Sequence, residues 1–127
     1  MNRGDPLRIR DYLAHIVEAI DNIIEYTAGM DAPAYLADKK TRDAVVRNFE
    51  IIGEACNNIT RHHAQFAKSQ PQVPWNFAYE MRNALAHGYF KIDHNIVWQT
   101  IQADLPALKA AVLTLLGLAP PTVSPRM

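Results

Sequence analysis

The chain has 127 residues, 49% hydrophobic and 20% charged, with 13 basic and 13 acidic side chains and a formal net charge of zero. One domain of this size can bury a core unaided. The composition excludes a disordered chain, and the charge balance excludes a protein that grips long nucleic acid through many phosphate contacts, so any such contact is expected to be local. A single cysteine, Cys56, excludes an internal disulfide framework and points to a reducing compartment. The N-terminus lacks the apolar core of a signal peptide. The longest apolar run, Ala110 to Ala119, is broken by Thr114 and Gly117 and is too short for a bilayer. A cytoplasmic protein with no membrane partner is expected.

Asp5-Pro6 reads as a helix start, an N-cap acceptor followed by a proline whose missing N–H costs nothing at the first position. Ile9, Leu13, Ile16, Ile20 and Ile23 then recur at steps of four and three, a helical stripe that Gly29 can end. Asp31-Ala32-Pro33 opens a short piece carrying Tyr35 and Leu36. A long helix is expected from about Thr41 to His62, with the stripe Val45, Phe49, Ile52, Cys56 and Ile59, and with Gly53 where another helix can approach. Ala64 to Pro74 breaks the pattern and reads as a loop. Trp75 begins a helix that ends near Gly88, and Asp93 can cap the next one, which carries Ile96, Val97, Ile101 and Leu105. Pro106 kinks or restarts it, and Leu108, Val112, Leu115 and Leu116 continue to Gly117. No period-two alternation persists and there is no internal repeat. The expected fold is all-α, a four- to five-helix up-and-down bundle over residues 1–117, followed by a disordered Pro-rich tail over residues 118–127.

The most informative stretch is Arg82-Asn83-Ala84-Leu85-Ala86-His87-Gly88-Tyr89. Arginine is a permanent cation whose planar fork fits phosphate, and histidine titrates near neutral pH. RNA carries its own nucleophile, the 2′-hydroxyl. Cleavage needs a base for that proton, a cation near the phosphate and an acid for the leaving 5′-oxygen. His87 can supply acid–base chemistry, Arg82 charge stabilisation, and Asn83 a hold on the imidazole tautomer or on the RNA backbone. Gly88 can end the helix at His87 and let the imidazole and Tyr89 turn back. One histidine per chain is one short if both proton transfers are enzymatic, and a symmetric homodimer would supply the second.

The same residues admit a plainer account. A histidine at a helix C-terminus suits the macrodipole, and a glycine after it is an ordinary stop. Arg82 can pair with Glu80, Asp93 or a glutamate elsewhere. Arg42 and Arg47, five apart on the long helix, can present a local basic patch for phosphate. Glu50, Glu54, Asn57 and Asn58 read as its solvated flank, and Cys56 as a small core residue. His62-His63 has no cysteine or carboxylate at ligand spacing, so neither a metal nor a cofactor is expected.

Arg47-Asn48-Phe49-Glu50-Ile51-Ile52-Gly53-Glu54-Ala55, then Val73-Pro74-Trp75, then Met81-Arg82-Asn83 through His87-Gly88-Tyr89-Phe90 resembles the HepT-like family, also called DUF86, of the HEPN superfamily. Ile96-Val97-Trp98 and Asp104-Leu105-Pro106 extend the likeness, which runs from about Pro6 to Leu116. The resemblance implies a HEPN-like helical bundle that forms a homodimer, with the Arg-x4-His-x-Tyr motifs of two protomers meeting in a cleft. It implies a metal-independent ribonuclease that acts as the toxin of a toxin–antitoxin pair, with an MNT-type nucleotidyltransferase as partner. Arg82 and His87 then become the catalytic pair, Asn83 a supporting residue, and Tyr89 the acceptor of AMP from the antitoxin. Glu80, two residues before Arg82, would be a carboxylate able to compete with substrate phosphate. The alternative reading is a non-catalytic nucleotide-binding or substrate-binding subunit of the nucleotidyltransferase, with a purely structural interaction protein behind it.

Overall fold

The computed structural model describes residues 8–87 and 92–117, so the expectations for Asp5-Pro6, Gly88, Tyr89 and the tail after Gly117 lie outside the described residues. Seven helices make up these residues, with no strand among them: α1 (Ile9–Tyr26), α2 (Ala32–Ala37), α3 (Lys39–His62), α4 (Ala64–Ser69), α5 (Trp75–His87), α6 (His94–Ala103) and α7 (Leu105–Leu115). The all-α expectation holds.

The first helix starts at Ile9, three residues after Pro6. Arg8, with extended backbone, precedes it, and the Arg8 N–H donates to the Asp11 carboxylate at 3.3 Å. Its stripe is the expected one, with Leu13, Ile16, Ile20 and Ile23 all buried. Asp31 caps α2 by accepting from the Ala34 N–H, and Asp38 caps α3 by accepting from the Thr41 N–H. All five expected apolar positions of α3 are buried, and the Cys56 thiol is pushed up to about 12 by burial, as suits an inert core residue.

The stretch read as a loop contains a helix. Ala64-Gln65-Phe66-Ala67-Lys68 are mostly good helix formers, and the Pro and Gln residues that suggested a loop govern only its far side. The short helix is held from its end, where the Trp75 indole N–H donates to the Ala67 and Gln70 carbonyls at 3.1 and 3.2 Å. Asp93 caps α6 as expected, and α7 restarts at Leu105 with Pro106 at a position needing no N–H.

The long helix α3 is the axis of the bundle. Helices α1 and α5 pack along it, α7 packs on α1 and α6, and α2 bridges α3 and α6. Tyr12 of α1 meets His63 at one end, and Asn22 bonds Asn48 further along, so α1 and α3 run antiparallel. Helix α7 runs antiparallel to α1: Lys109 pairs with Asp21 at 2.7 Å, and the Arg10 guanidinium donates to the Leu116 carbonyl at 3.0 Å. No helix among the described residues is long and apolar enough to cross a membrane.

Candidate active site on the fifth helix

Helix α5 is positioned by its first residue and by its apolar side. Trp75 is buried and clamped to the end of α4, and Ala78 and Leu85 are buried, with Met81 half-buried between them. These positions recur at three- and four-residue steps, so they form the side of α5 turned to its partner α3. Thr60, Trp75 and Asn76 line one groove, which sets the start of α5 beside the last turns of α3. From there α5 runs back along α3 and carries position 87 towards the N-terminal half of that helix.

Arg82, Asn83 and His87 take their places from the backbone. The helix is continuous through His87. At ~100° per residue, position 82 falls between Trp75 and Ala78 on the α3-facing side, whereas positions 83 and 87 share the opposite face. Positions 82 and 87 are ~140° apart about the axis, so a single helix does not aim them at one point. The same register relocates Glu80. It is exposed, and residues two apart on a helix do not face each other, so it lies on the side of positions 83 and 87 and away from position 82.

The other sequence candidates are dispersed along α3. Arg47 is exposed and sits 3.7 Å from the half-exposed Glu50, a loose pair screened by solvent. Glu54 is exposed, while Asn57 and Asn58 are half-buried. Arg42 lies ~140° around the helix from Arg47, so the two do not make one patch. Arg42 instead enters a corner formed by α2, α3 and α6. There, the Tyr35 ring is fully buried, 5.2 Å from the Trp98 ring and 6.5 Å from the His94 ring. Burial pushes the Tyr35 hydroxyl up to about 12, against the opposing pull of Arg42. His94 is held below its ordinary value, first by burial and then by Arg42, with Asp43 and Asp93 opposing. Nothing in the sequence marks this corner, because Tyr35 and Arg42 lie on separate helices divided by the extended Asp38, and His94 comes from a distant helix. Among the described residues, no group of three or more His, Cys, Asp or Glu is placed to hold a metal ion.

A family profile described as Ribonuclease HepT-like matches residues 16–115, a span that includes all of α5. A protein of Thermococcus cleftensis named "Probable ribonuclease HepT" is 43% identical over 100 residues, which cover 79% of this chain and 88% of that protein. A "Putative RNase" of Methanocaldococcus jannaschii is 36% identical over 104 residues, covering 82% of this chain and 93% of its own length. A longer protein of the same organism, named "Gamma-glutamylcyclotransferase and putative RNase", is 35% identical over 108 residues, or 85% of this chain but 47% of that protein. No solved structure matches the chain significantly.

Proposed function

The chain belongs to the ribonuclease HepT-like family, and from that premise we propose that it is an endoribonuclease that cleaves RNA through Arg82 and His87. The observation that carries the reading is the family match across residues 16–115, which spans the helix bearing both residues, together with relatives named as ribonucleases. In the reaction, the 2′-oxygen attacks the adjacent phosphorus as its proton passes to a base. The bond to the 5′-oxygen breaks, that oxygen takes up a proton, and the upstream fragment keeps a 2′,3′-cyclic phosphate. Arg82 stabilises the charge on the phosphoryl oxygens, His87 carries a proton transfer, and Asn83 holds the imidazole or the RNA backbone. Because RNA brings its own nucleophile, this route needs no metal.

The ~140° separation of positions 82 and 87 on one helix supports a homodimer, in which a two-fold axis brings both motifs into one cleft and supplies a second histidine. In the same proposal the protein is the toxin of a toxin–antitoxin pair, and an MNT-type nucleotidyltransferase silences it by transferring AMP to Tyr89. A phosphodiester and a base two residues from His87 would put negative charge and bulk where RNA phosphate must sit.

The test is cleavage of tRNA, mRNA and total RNA in EDTA by folded wild type, Arg82→Ala and His87→Ala. Each substitution is expected to lower the rate by roughly 10²–10⁴-fold, with 5′-hydroxyl ends on the downstream products. Products bearing 5′-phosphate ends, or a folded wild type that cuts none of these RNAs, would overturn the reading.

A further inference from the structure

Tyr35, Arg42 and His94 form a corner that the proposed chemistry leaves unused. Among the described residues, three buried side-chain polar atoms have no hydrogen-bond partner, and all three are here: the Tyr35 hydroxyl, Arg42 Nε and His94 Nδ1. Buried polar groups in folded proteins are nearly always bonded, since an unmet one carries its full desolvation cost. Three from three different helices, gathered against one another, therefore point to something that the corner receives.

The chemistry of the three atoms limits what that is. Arg42 Nε–H can only donate. The Tyr35 hydroxyl, pushed up to about 12, keeps its proton and can donate. Burial favours the neutral form of His94, whose Nδ1 donates in one of its two tautomers. A guest rich in acceptors satisfies all three.

The charges facing the corner favour an anion. Asp43 is bonded to Lys39 at 2.8 Å, Asp38 to the Thr41 N–H at 3.1 Å, and Asp93 to the Asn95 and Ile96 N–H groups at 3.0 and 3.3 Å. Each nearby carboxylate thus has another partner, and Arg42 is bridged to none of them. Helices α3 and α6 also both begin here, which adds the positive ends of two helix dipoles.

We propose that Tyr35, Arg42 and His94 form a subsite for one phosphate group, contributed by the bound RNA strand. The choice of RNA as the source rests on the ribonuclease reading above. The corner lies close to the motif along the chain: His94 follows His87 by seven residues, which reach at most about 25 Å. The subsite would hold a phosphate away from the one being cleaved, positioning the strand as phosphate contacts do.

The test uses the full-length protein and Tyr35→Phe, which removes one oxygen and keeps the ring. Melting temperatures are measured with and without inorganic phosphate, and affinity is measured for a 2′-O-methyl RNA oligonucleotide that cannot be cleaved. In phosphate-free buffer the variant is expected to melt at the same temperature as wild type or higher, since it loses an unbonded buried hydroxyl. The phosphate-induced rise should shrink, and RNA affinity should fall about 10-fold, the size expected for one hydrogen bond to a charged group. Arg42→Lys, which keeps the charge and loses the Nε–H, should also lower RNA affinity.

A Tyr35→Phe protein that melts several degrees lower without phosphate would overturn the proposal, because the hydroxyl would then be bonded structurally. Unchanged RNA affinity in both variants would overturn it as well, even if free phosphate still bound. His87→Ala separates the two readings: it should slow cleavage to the extent given above while keeping the phosphate-induced rise. Were the wild type to cleave nothing yet show a rise that depends on Tyr35, the ribonuclease reading would fall and phosphate binding would stand.

Discussion

Two places along α3 bury polar groups, and they are built differently. Where α3 crosses α1, the Asn48 carbonyl oxygen accepts from the Asn22 amide at 3.1 Å, and its own amide donates to the Ala44 carbonyl at 2.9 Å. Asn48 is 5% exposed and its amide is bonded at both ends. Six residues earlier, Arg42 enters the corner with Tyr35 and His94, where three buried polar atoms have no partner. A polar group that serves the fold is satisfied by the fold. One kept ready for a guest is left open, and the protein carries the cost of that in the meantime.

The contrast can be broken from either side, and the largest effect belongs to the apolar packing around the crossing. Ile52→Ala, at a site 1% exposed, should destabilise the protein by roughly 2–5 kcal/mol in chemical denaturation, with RNA chemistry per folded molecule unchanged. Asn48→Ala should cost roughly 1–3 kcal/mol, because Asn22 loses its partner inside the helix crossing. A stability equal to wild type would show that the crossing does not need the amide pair.

The smallest effect is one of pH at the corner. With His94 held below its ordinary value, the unfolded chain takes up a proton there before the folded one does. Its contribution therefore makes stability fall as pH drops below about 6.5, levelling off once the folded-state value is passed. His94→Phe should flatten that part of the stability profile measured by denaturant titration between pH 7 and 5. A profile of identical slope would show that the ring titrates as if in water.

Most of the bundle was legible in the sequence because its signals are local. The four-and-three spacing of Leu13, Ile16, Ile20 and Ile23 needs one helix to be understood, and so do the caps at Asp31 and Asp93. Helix α4 was missed because Ser69-Gln70-Pro71 dominates the reading of a segment whose helicity depends on Trp75 reaching back to Ala67. The candidate site was half legible. Arg82 and His87 stand out as residue types at one helix end, but their placement on opposite faces follows only once α5 is known to be unbroken through position 87. Arg42 was visible as a cation. Its company was not, since the packing of α2 and α6 on α3 is what brings Tyr35 and His94 to it.

The bond from Arg10 to the Leu116 carbonyl has an architectural consequence. It ties the first turns of the bundle to the last, so the chain enters and leaves the described domain at the same corner. A domain with adjacent ends behaves as a cassette: it can be appended to another polypeptide, or spliced into a surface loop of one, without stretching any of its own helices.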